Sequence, residues 1–206
     1  MKNNIRIIIL CFILSQSISA QNFVAAEIQS SSSLTINGAT NLITFKLHQN
    51  AEHLSKSKLK VGTTFSQNKT YLTQNQLSVV VKNFTSNNFI ALKEFFKLVK
   101  SNAYPVLNVQ INFAEPLLIS EKGQNYTGNA LISMTITGVT KQYSIPITLK
   151  SNGSLFILDG NKKLSIHDFG LYPEPKMMGL VIINEWIDID FHIVYKIKSD
   201  TDSAKQ

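Results

Sequence analysis

Apolar and polar side chains alternate with a period of two along residues 128–149. One face carries Ala130, Ile132, Met134 and Ile136 in the first half and Tyr143, Ile145, Ile147 and Leu149 in the second. Residues 138–141 interrupt the pattern with a flexible glycine and a solvated lysine. Two strands joined by a short glycine-containing connection predict a β-hairpin with one apolar face. Pro146 cannot donate a backbone hydrogen bond, so we expect it at an edge or a bulge.

The same alternation recurs along the rest of the chain. It predicts further strands at residues 34–36, 43–47, 77–81, 107–113, 155–158, 164–167 and 187–197. Turns are predicted at residues 37–39 and 159–161, where a glycine lies among small polar residues. Residues 50–76 are polar and weakly patterned, which predicts a loop with a short strand at 59–65. Eight or more strands with one helix favour a single antiparallel barrel or sandwich.

One stretch changes from a period of two to helical spacing. Residues 88–99 place four apolar side chains on one face of a predicted helix: Phe89, Leu92, Phe96 and Val99. Ser86 and Asn87 precede the stretch and can cap its first turn, and Tyr104-Pro105 follows its end. Another face carries Lys93, Lys97 and Lys100. These lysines would either meet a phosphate head group or form an ordinary solvated surface.

The first twenty residues have the three parts of a secretory signal peptide. A basic start with Lys2 and Arg6 precedes the apolar run of residues 7–14, and Ala20-Gln21 offers a cleavage site. The run is too short to span a bilayer, and the alternative is an N-terminal buried strand or anchor. We therefore expect a signal peptide at 1–20, one domain at 21–198 and a polar tail at 199–206. The expected location is periplasmic or secreted.

Composition narrows the functional classes. The 206 residues are 44% apolar but only 16% charged, against a usual charged share of about 25%. The single cysteine, Cys11, lies in the predicted leader, so we expect no disulfide in the mature chain. The net charge of +7 falls to +5 when Lys2 and Arg6 leave with the leader. Cations do not cluster with aromatic residues, which argues against nucleic-acid binding.

The sequence shows no pattern typical of an enzyme or a metalloprotein. The nucleophile elbow, the zinc helix and the nucleotide-binding loops are absent. The four histidines are scattered, and His167-Asp168 has no nucleophile beside it. Asp188 and Asp190 share a strand face, as catalytic carboxylates could, but they equally fit the solvated face of an outer strand. We predict a non-enzymatic protein without a cofactor or a metal ion.

Three short motifs resemble those of a known family. Ala103-Tyr104-Pro105 follows the predicted helix, residues 136–141 connect the central hairpin, and Asp168-Phe169-Gly170 precedes the last alternating strand. Their order and spacing resemble the YceI-like lipid/polyisoprenoid-binding family over residues 34–198. The resemblance implies an all-β fold, an extended antiparallel lipocalin-like β-barrel of about eight strands with one short helix. It also implies a long-chain apolar ligand, an isoprenoid or another lipid, held inside the barrel.

A barrel of about eight strands is either filled by its own side chains or hollow enough for one ligand. The inward candidates are Phe45, Val79, Val109, Ile111, Phe113, Ile132, Met134, Ile145, Ile147, Ile189, Phe191 and Ile193. For a hollow barrel we predict that the ligand contacts Phe89, Leu92, Phe96, Phe113, Met134, Ile145, Met177, Met178 and Phe191. Phe96, Met177 and Met178 are expected to border its mouth, because flexible thioethers accommodate irregular partners. The alternative is that their loop merely packs on the outside of the barrel.

The expected function is therefore a carrier or binder of a long apolar small molecule. The alternative is a ligand-free envelope interaction module whose barrel has a solid core. Peripheral contact with a membrane is compatible with both interpretations, and the sequence does not define the oligomeric state.

Overall fold

The computed structural model describes residues 22–54, 58–115, 118–119, 125–152, 154–175 and 177–198. The strands in these ranges are β1 (Asn22–Ile28), β2 (Ser33–Ala39), β3 (Thr44–Asn50), β4 (Lys58–Ser66), β5 (Lys69–Thr73), β6 (Leu77–Val80), β7 (Phe84–Thr85), β8 (Val106–Ala114), β9 (Leu118–Ile119), β10 (Asn125–Ile136), β11 (Val139–Asn152), β12 (Leu155–Ser165) and β13 (Trp186–Lys198). The helices are α1 (Ala51–Leu54) and α2 (Phe89–Leu98), and neither is long and apolar enough to cross a membrane. The predicted signal peptide and polar tail lie outside the described residues.

Eight strands pair in a closed antiparallel ring, in the order β1-β4-β5-β8-β10-β11-β12-β13 and back to β1. The closing ladder runs from Ala25 opposite Lys198 to Ile28 opposite Tyr195. Because each strand is hydrogen-bonded to its neighbours, the inward side chains of all eight face one interior. The prediction of an all-β, barrel-like fold of about eight strands is confirmed, and the four-residue helix α1 is an addition to it.

A side branch joins the ring along β13. One edge of this strand pairs with β12, while the other pairs first with β2 and then with β1. β2 continues the branch into β3 and β7, which extends the wall at the end where β13 begins. Helix α2 lies at this end, because the Ser86 hydroxyl donates to the Lys46 carbonyl oxygen on β3 at 2.7 Å. We call this the α2 end of the ring, and the end where β13 finishes the terminal end.

The hairpin of β10 and β11 confirms the central prediction. Its turn is Thr137-Gly138, whose φ values of 50° and 80° both lie in the left-handed region. Val139 to Lys141, which were predicted in the connection, therefore belong to β11. Pro146 lies where β11 parts from β12, since the ladder between them begins at Ile147. This is the kind of edge position that proline requires.

Two predicted turns are wrong, because each contains a glycine that lies within a strand. Residues 37–39 complete β2, and residues 159–161 form the middle of β12. In both strands the glycine faces an aromatic ring across the ladder, Phe45 over Gly38 and Phe191 over Gly160. The glycine makes room for the ring and does not reverse the chain.

For residues 50–76 the predicted short strand at 59–65 is confirmed as β4, but the rest of the predicted loop is wrong, since β5 follows and forms a hairpin with β4. β4 and β5 pair from Gly62 opposite Thr73 to Ser66 opposite Lys69. Gln67 and Asn68 connect them, with φ values of 48° and 60°. These strands mix threonine, lysine and glycine with few large apolar residues, so their alternation is weak in the sequence.

The three motifs that suggested a family meet at the α2 end. Tyr104 covers Gly138, where an added β-carbon would lie 3.4 Å from the tyrosine ring. The Tyr143 hydroxyl donates to Asp168 Oδ2 at 2.8 Å, and the Tyr143 ring lies 6.2 Å from that of buried Phe169. Burial and then the Asp168 carboxylate raise the pKa of Tyr143, so the hydroxyl keeps its proton and remains a donor.

Candidate functional site

The ring encloses a cavity of about 740 Å³. Six alternate residues of β13 line it: Ile187, Ile189, Phe191, Ile193, Tyr195 and Ile197. The ten residue steps from Ile187 to Ile197, at 3.3 Å each, span about 33 Å. A packed protein interior contains few voids larger than a water molecule, so a solid core does not describe this ring.

The cavity is elongated, because alternate residues line it from Ile187 to Ile197 along β13. Barrel strands are tilted by roughly 35–45° to the barrel axis, so about 33 Å along β13 corresponds to about 25 Å along the axis. A cavity of this length suits an extended chain better than a compact molecule. We call this cavity the channel.

The wall of the channel is mostly apolar, and two of its amide side chains bond to protein groups. Asn75 donates through Nδ2 to the Ile111 carbonyl oxygen and accepts from the Ile111 N–H through Oδ1, both at 2.8 Å. The Asn108 Oδ1 atom accepts from Ser78 at 2.9 Å and from Gln76 at 3.1 Å. Because these groups are occupied by protein, the wall offers a guest mainly apolar contacts.

The channel opens at the α2 end. Four of its lining side chains there are also exposed to solvent: Leu42, Ile43, Ile90 and Met177. They come from the β2–β3 connection, the first turn of α2 and the loop before β13. Asn41 ties the connection to the loop, because its N–H donates to the Ile182 carbonyl oxygen at 3.0 Å and its Oδ1 accepts from the Ile182 N–H at 2.9 Å.

Three of the nine predicted ligand-contacting residues line the channel. Met134 does so from β10, Phe191 from β13 and Met177 at the mouth. The other six are not part of its lining: Phe89, Leu92, Phe96, Phe113, Ile145 and Met178. Ligand contact stays a prediction, and we carry it forward for the three residues that line the channel.

Phe113 lies on the outer face of the ring because β8 contains a β-bulge. Ile132 of β10 pairs with Ile111, but the preceding Leu131 pairs with Phe113, so Asn112 is an extra residue. The bulge shifts the alternation by one position, which a strict period of two cannot anticipate. The Phe113 ring then lies 5.6 Å from that of Tyr71.

Ile145 and Met178 lie outside the channel for opposite reasons. Ile145 is completely buried in the core. Phe169 lines the channel, and its ring lies 6.2 Å from the ring of Tyr143, which is two residues before Ile145 in β11. Met178 is fully exposed, one residue after a methionine that lines the mouth. Met177 and Met178 have φ values of 51° and 57°, so this turn points successive side chains in different directions.

Helix α2 presents a different face to the channel from the one predicted. The helix residues that line the channel are Ile90, Ala91, Glu94, Phe95 and Leu98. Val99, which directly follows the helix, also lines it and is the one member of the predicted apolar face that does. Leu92 and Phe96 are half-buried against the core, whereas Phe89 is 74% exposed. Apolar residues occupy most of the helix surface, so a spacing of three and four fits either stripe.

The cap of α2 is one residue later than predicted. Asn88 accepts a hydrogen bond from the Ala91 N–H through its side chain at 3.0 Å. Ser86, one of the predicted caps, instead accepts from the Asn88 N–H at 3.1 Å. Together these bonds hold the start of the helix at the mouth of the channel.

Lining residues at the terminal end were missing from the sequence prediction. They are Val24, Ala26 and Ile28 of β1, Leu59, Val61 and Thr63 of β4, and Leu72 of β5. β1 does alternate, but it directly follows the predicted cleavage site and is short. A search for alternation over only three apolar positions would have found it.

Charged side chains form short contacts on the outer face. Asp159 contacts His192 Nδ1 at 2.6 Å and Lys150 Nζ at 3.1 Å. Burial alone would raise the pKa of Asp159, but hydrogen bonds from His192 and Lys150 lower it below its usual value. His167 pairs through Nδ1 with Glu185 at 2.8 Å.

Within the described ranges, no three His, Cys, Asp or Glu side chains are grouped as metal ligands.

Known proteins resemble this chain in structure. No protein-family model and no curated protein sequence matches it. A polyisoprenoid-binding domain from Saccharophagus degradans, implicated in plant cell wall breakdown, superposes with a TM-score of 0.60 over 85% of this chain and 99% of that domain, at 10% identity. BcnA from Burkholderia cenocepacia gives 0.57 over 82% of this chain and 99% of its own, at 16% identity. The chain therefore has the fold of these two proteins, and the resemblance expected from its motifs is confirmed as a likeness of fold.

Proposed function

We propose that the protein binds a long apolar molecule, an isoprenoid or another lipid, inside the channel. The observation that carries this proposal is the continuous apolar lining along β13, which is about 33 Å long. Burial of apolar surface contributes roughly 25 cal/mol per Å², so a chain that fills the channel gains binding free energy along its whole length. The proposed location is the periplasm or the extracellular space, as the predicted leader suggests.

Size and fold both support a lipid as the ligand. The volume of about 740 Å³ lies within the roughly 300–1,000 Å³ typical of small-molecule sites. The Saccharophagus degradans domain with the same fold is described as polyisoprenoid-binding. We extend that ligand class to this chain as part of the proposal, and we assign the protein a binding role without catalysis.

The main alternative is a ligand-free interaction module with a solid barrel. The channel argues against it, because an unfilled apolar void loses the dispersion contacts that a packed core gains. A module that acts only through its surface would not need to leave this space open.

Adjacent alanines on β1 allow a matched test. Ala26 lines the channel, whereas Ala25 is not part of the lining. Purified protein is extracted with organic solvent, and the released lipid is quantified by mass spectrometry. We expect a stoichiometric long-chain lipid from the wild type and from Ala25→Phe, and a clear loss from Ala26→Phe, whose ring would occupy the channel. A wild-type protein that releases no stoichiometric lipid, even after incubation with lipid vesicles, would reject the proposed function.

A further inference from the structure

Large apolar side chains surround the mouth of the channel on its outer side. We call this set the rim: Leu42, Ile43, Phe89, Ile90, Met177, Met178, Leu180 and Ile182. Each is at least half exposed, and Leu42, Ile43, Ile90 and Met177 also line the channel. Exposed apolar surface of this extent at one place marks a site of interaction.

The two loop segments of the rim carry no charged residue. Residues 39–44 read ATNLIT and residues 177–184 read MMGLVIIN. Val181 and Ile183 line the channel, whereas Leu180 and Ile182 face solvent. A loop that meets only water normally carries polar and charged side chains, so these segments fit an apolar environment better.

Hydrogen bonds hold the two segments together as one surface. Asn41 Nδ2 donates to the Leu180 carbonyl oxygen at 3.0 Å, and the Asn184 N–H donates to the Ala39 carbonyl oxygen at 2.9 Å. Thr40 and Ile183 form an isolated β-bridge between them. The exposed residues of both segments are therefore held in fixed positions beside the mouth.

The backbone at the tip of the loop favours other residues than those present. Met177 and Met178 both have positive φ, as does Gly179 at 93°. A left-handed conformation is strained for side chains other than glycine or asparagine. Asparagine or glycine would relieve this strain, so the methionines serve the surface and not the turn.

Lysines and a tryptophan lie beside the rim. A polar groove that shares Asn88 and Asn184 with the channel is lined by Lys46, Lys163 and Trp186, with Asp188 as its acidic residue. Among the described residues, neither lysine has a carboxylate within 4.0 Å. Apolar residues with lysine and tryptophan at their border are typical of surfaces that enter the interface of a lipid bilayer.

We propose that the rim docks the protein on the surface of a lipid bilayer, with the mouth of the channel against the membrane. This inference rests on the proposed function, because a lipid ligand would then pass between bilayer and channel without crossing water. A second copy of the chain fits the rim less well, since symmetric pairing would bring the same lysines together.

The test uses rim residues that do not line the channel. The triple variant carries Phe89→Asp, Met178→Asp and Leu180→Asp. Aspartate is favourable in the first turn of a helix and tolerated in left-handed backbone, so the fold should persist. The control is Phe65→Asp, because Phe65 is 72% exposed at the tip of the β4–β5 hairpin, at the terminal end. Flotation with vesicles of phosphatidylcholine, alone or mixed with phosphatidylglycerol, measures binding.

We expect the wild type and Phe65→Asp to float with the vesicles, more strongly with phosphatidylglycerol. The triple variant should lose at least about tenfold in partitioning, while its extractable lipid stays at the wild-type amount. Equal flotation of the triple variant, or no flotation of the wild type, would overturn the proposal. So would a vesicle-free dimer that the triple substitution dissociates.

A single variant and the lipid extraction separate this proposal from the proposed function. Met178→Asp alone should reduce flotation in the same direction, and it serves if the triple variant fails to fold. Absence of extractable lipid from every protein would reject the proposed function, whereas the flotation results would still decide whether the rim binds a bilayer.

Discussion

The ring of Phe191 lies directly against the backbone of Gly160, its partner across the β12–β13 ladder. A β-carbon at Gly160 would approach two further ring carbons to 2.7 and 2.8 Å, well inside van der Waals contact. Phe191 also lines the channel, so glycine at position 160 fixes how far an aromatic wall residue reaches into the space for a guest.

Gly160→Ala should push the Phe191 ring into the channel. We expect a loss of about 1–3 kcal/mol in the free energy of unfolding, as for other overpacking substitutions, and a lower lipid content. Denaturant unfolding and solvent extraction measure the two effects. In a Phe191→Ala background the cost of Gly160→Ala should largely disappear, because the colliding ring is gone. An equal cost in both backgrounds would show that the two residues do not interact in this way.

The two neighbouring methionines should respond differently to charge. Met177→Asp places a carboxylate at the mouth of the channel, where an apolar guest cannot compensate it, so we expect a marked loss of bound lipid. Met178→Asp lies outside the lining and should leave lipid content unchanged. Extraction with mass spectrometry measures both, and the thermal midpoint should stay close to that of the wild type because both side chains are exposed. Equal lipid contents for the two variants would contradict this assignment of the mouth.

Asn88 should stabilise the start of helix α2. Asn88→Ala removes the hydrogen bond to the Ala91 N–H and should cost about 1 kcal/mol of unfolding free energy. Asn87→Ala, at the exposed preceding position, is the matched control and should change it by less than about 0.5 kcal/mol. Denaturant unfolding of the two variants decides which residue is the cap.

Asp159 should make the free energy of unfolding depend on pH in the acidic range. Its pKa in the folded state is lowered below the usual 3.8, so its stabilising contribution is present above that pH and is lost as the pH falls through the lowered value. The denaturant midpoint of the wild type should therefore fall more steeply below about pH 4 than that of Asp159→Asn. The measurement is a series of unfolding curves from about pH 6 to about pH 3. Parallel curves for the two proteins would exclude this carboxyl group as a source of the acid sensitivity.

The sequence predicted the strands whose large side chains alternate without interruption. β10, β11 and β13 were found for this reason, and Met134 and Phe191 were placed correctly on the inner face. β1 and β5 were missed because alanine, threonine and lysine weaken their pattern, whereas β4 was predicted as a short strand. Local periodicity cannot show whether a glycine forms a turn or makes room for a side chain on the next strand. The glycines opposite Phe45 and Phe191 were predicted as turns for this reason.

The candidate site was harder to predict than the fold. A bulge at Asn112 turned Phe113 outward, and only the pairing of β8 with β10 shows it. Helix α2 is apolar on several faces, so spacing could not decide between Phe89 and Ile90 as the lining residue. Whether the barrel is hollow depends on distances between opposite walls, which no single strand encodes.

The closed ring has a consequence for the speed of exchange. Among the described residues, seven of the eight joints in the ring are ladders of at least four residue pairs, which can open sideways only by breaking several bonds at once. The exception is the two-residue pairing between β5 and β8. A guest in the channel would therefore leave along the axis, past the loops at the mouth. Its residence time would depend on how often those loops move and not on the stability of the sheet, so variants that leave the free energy of unfolding unchanged could still alter the off-rate by a large factor.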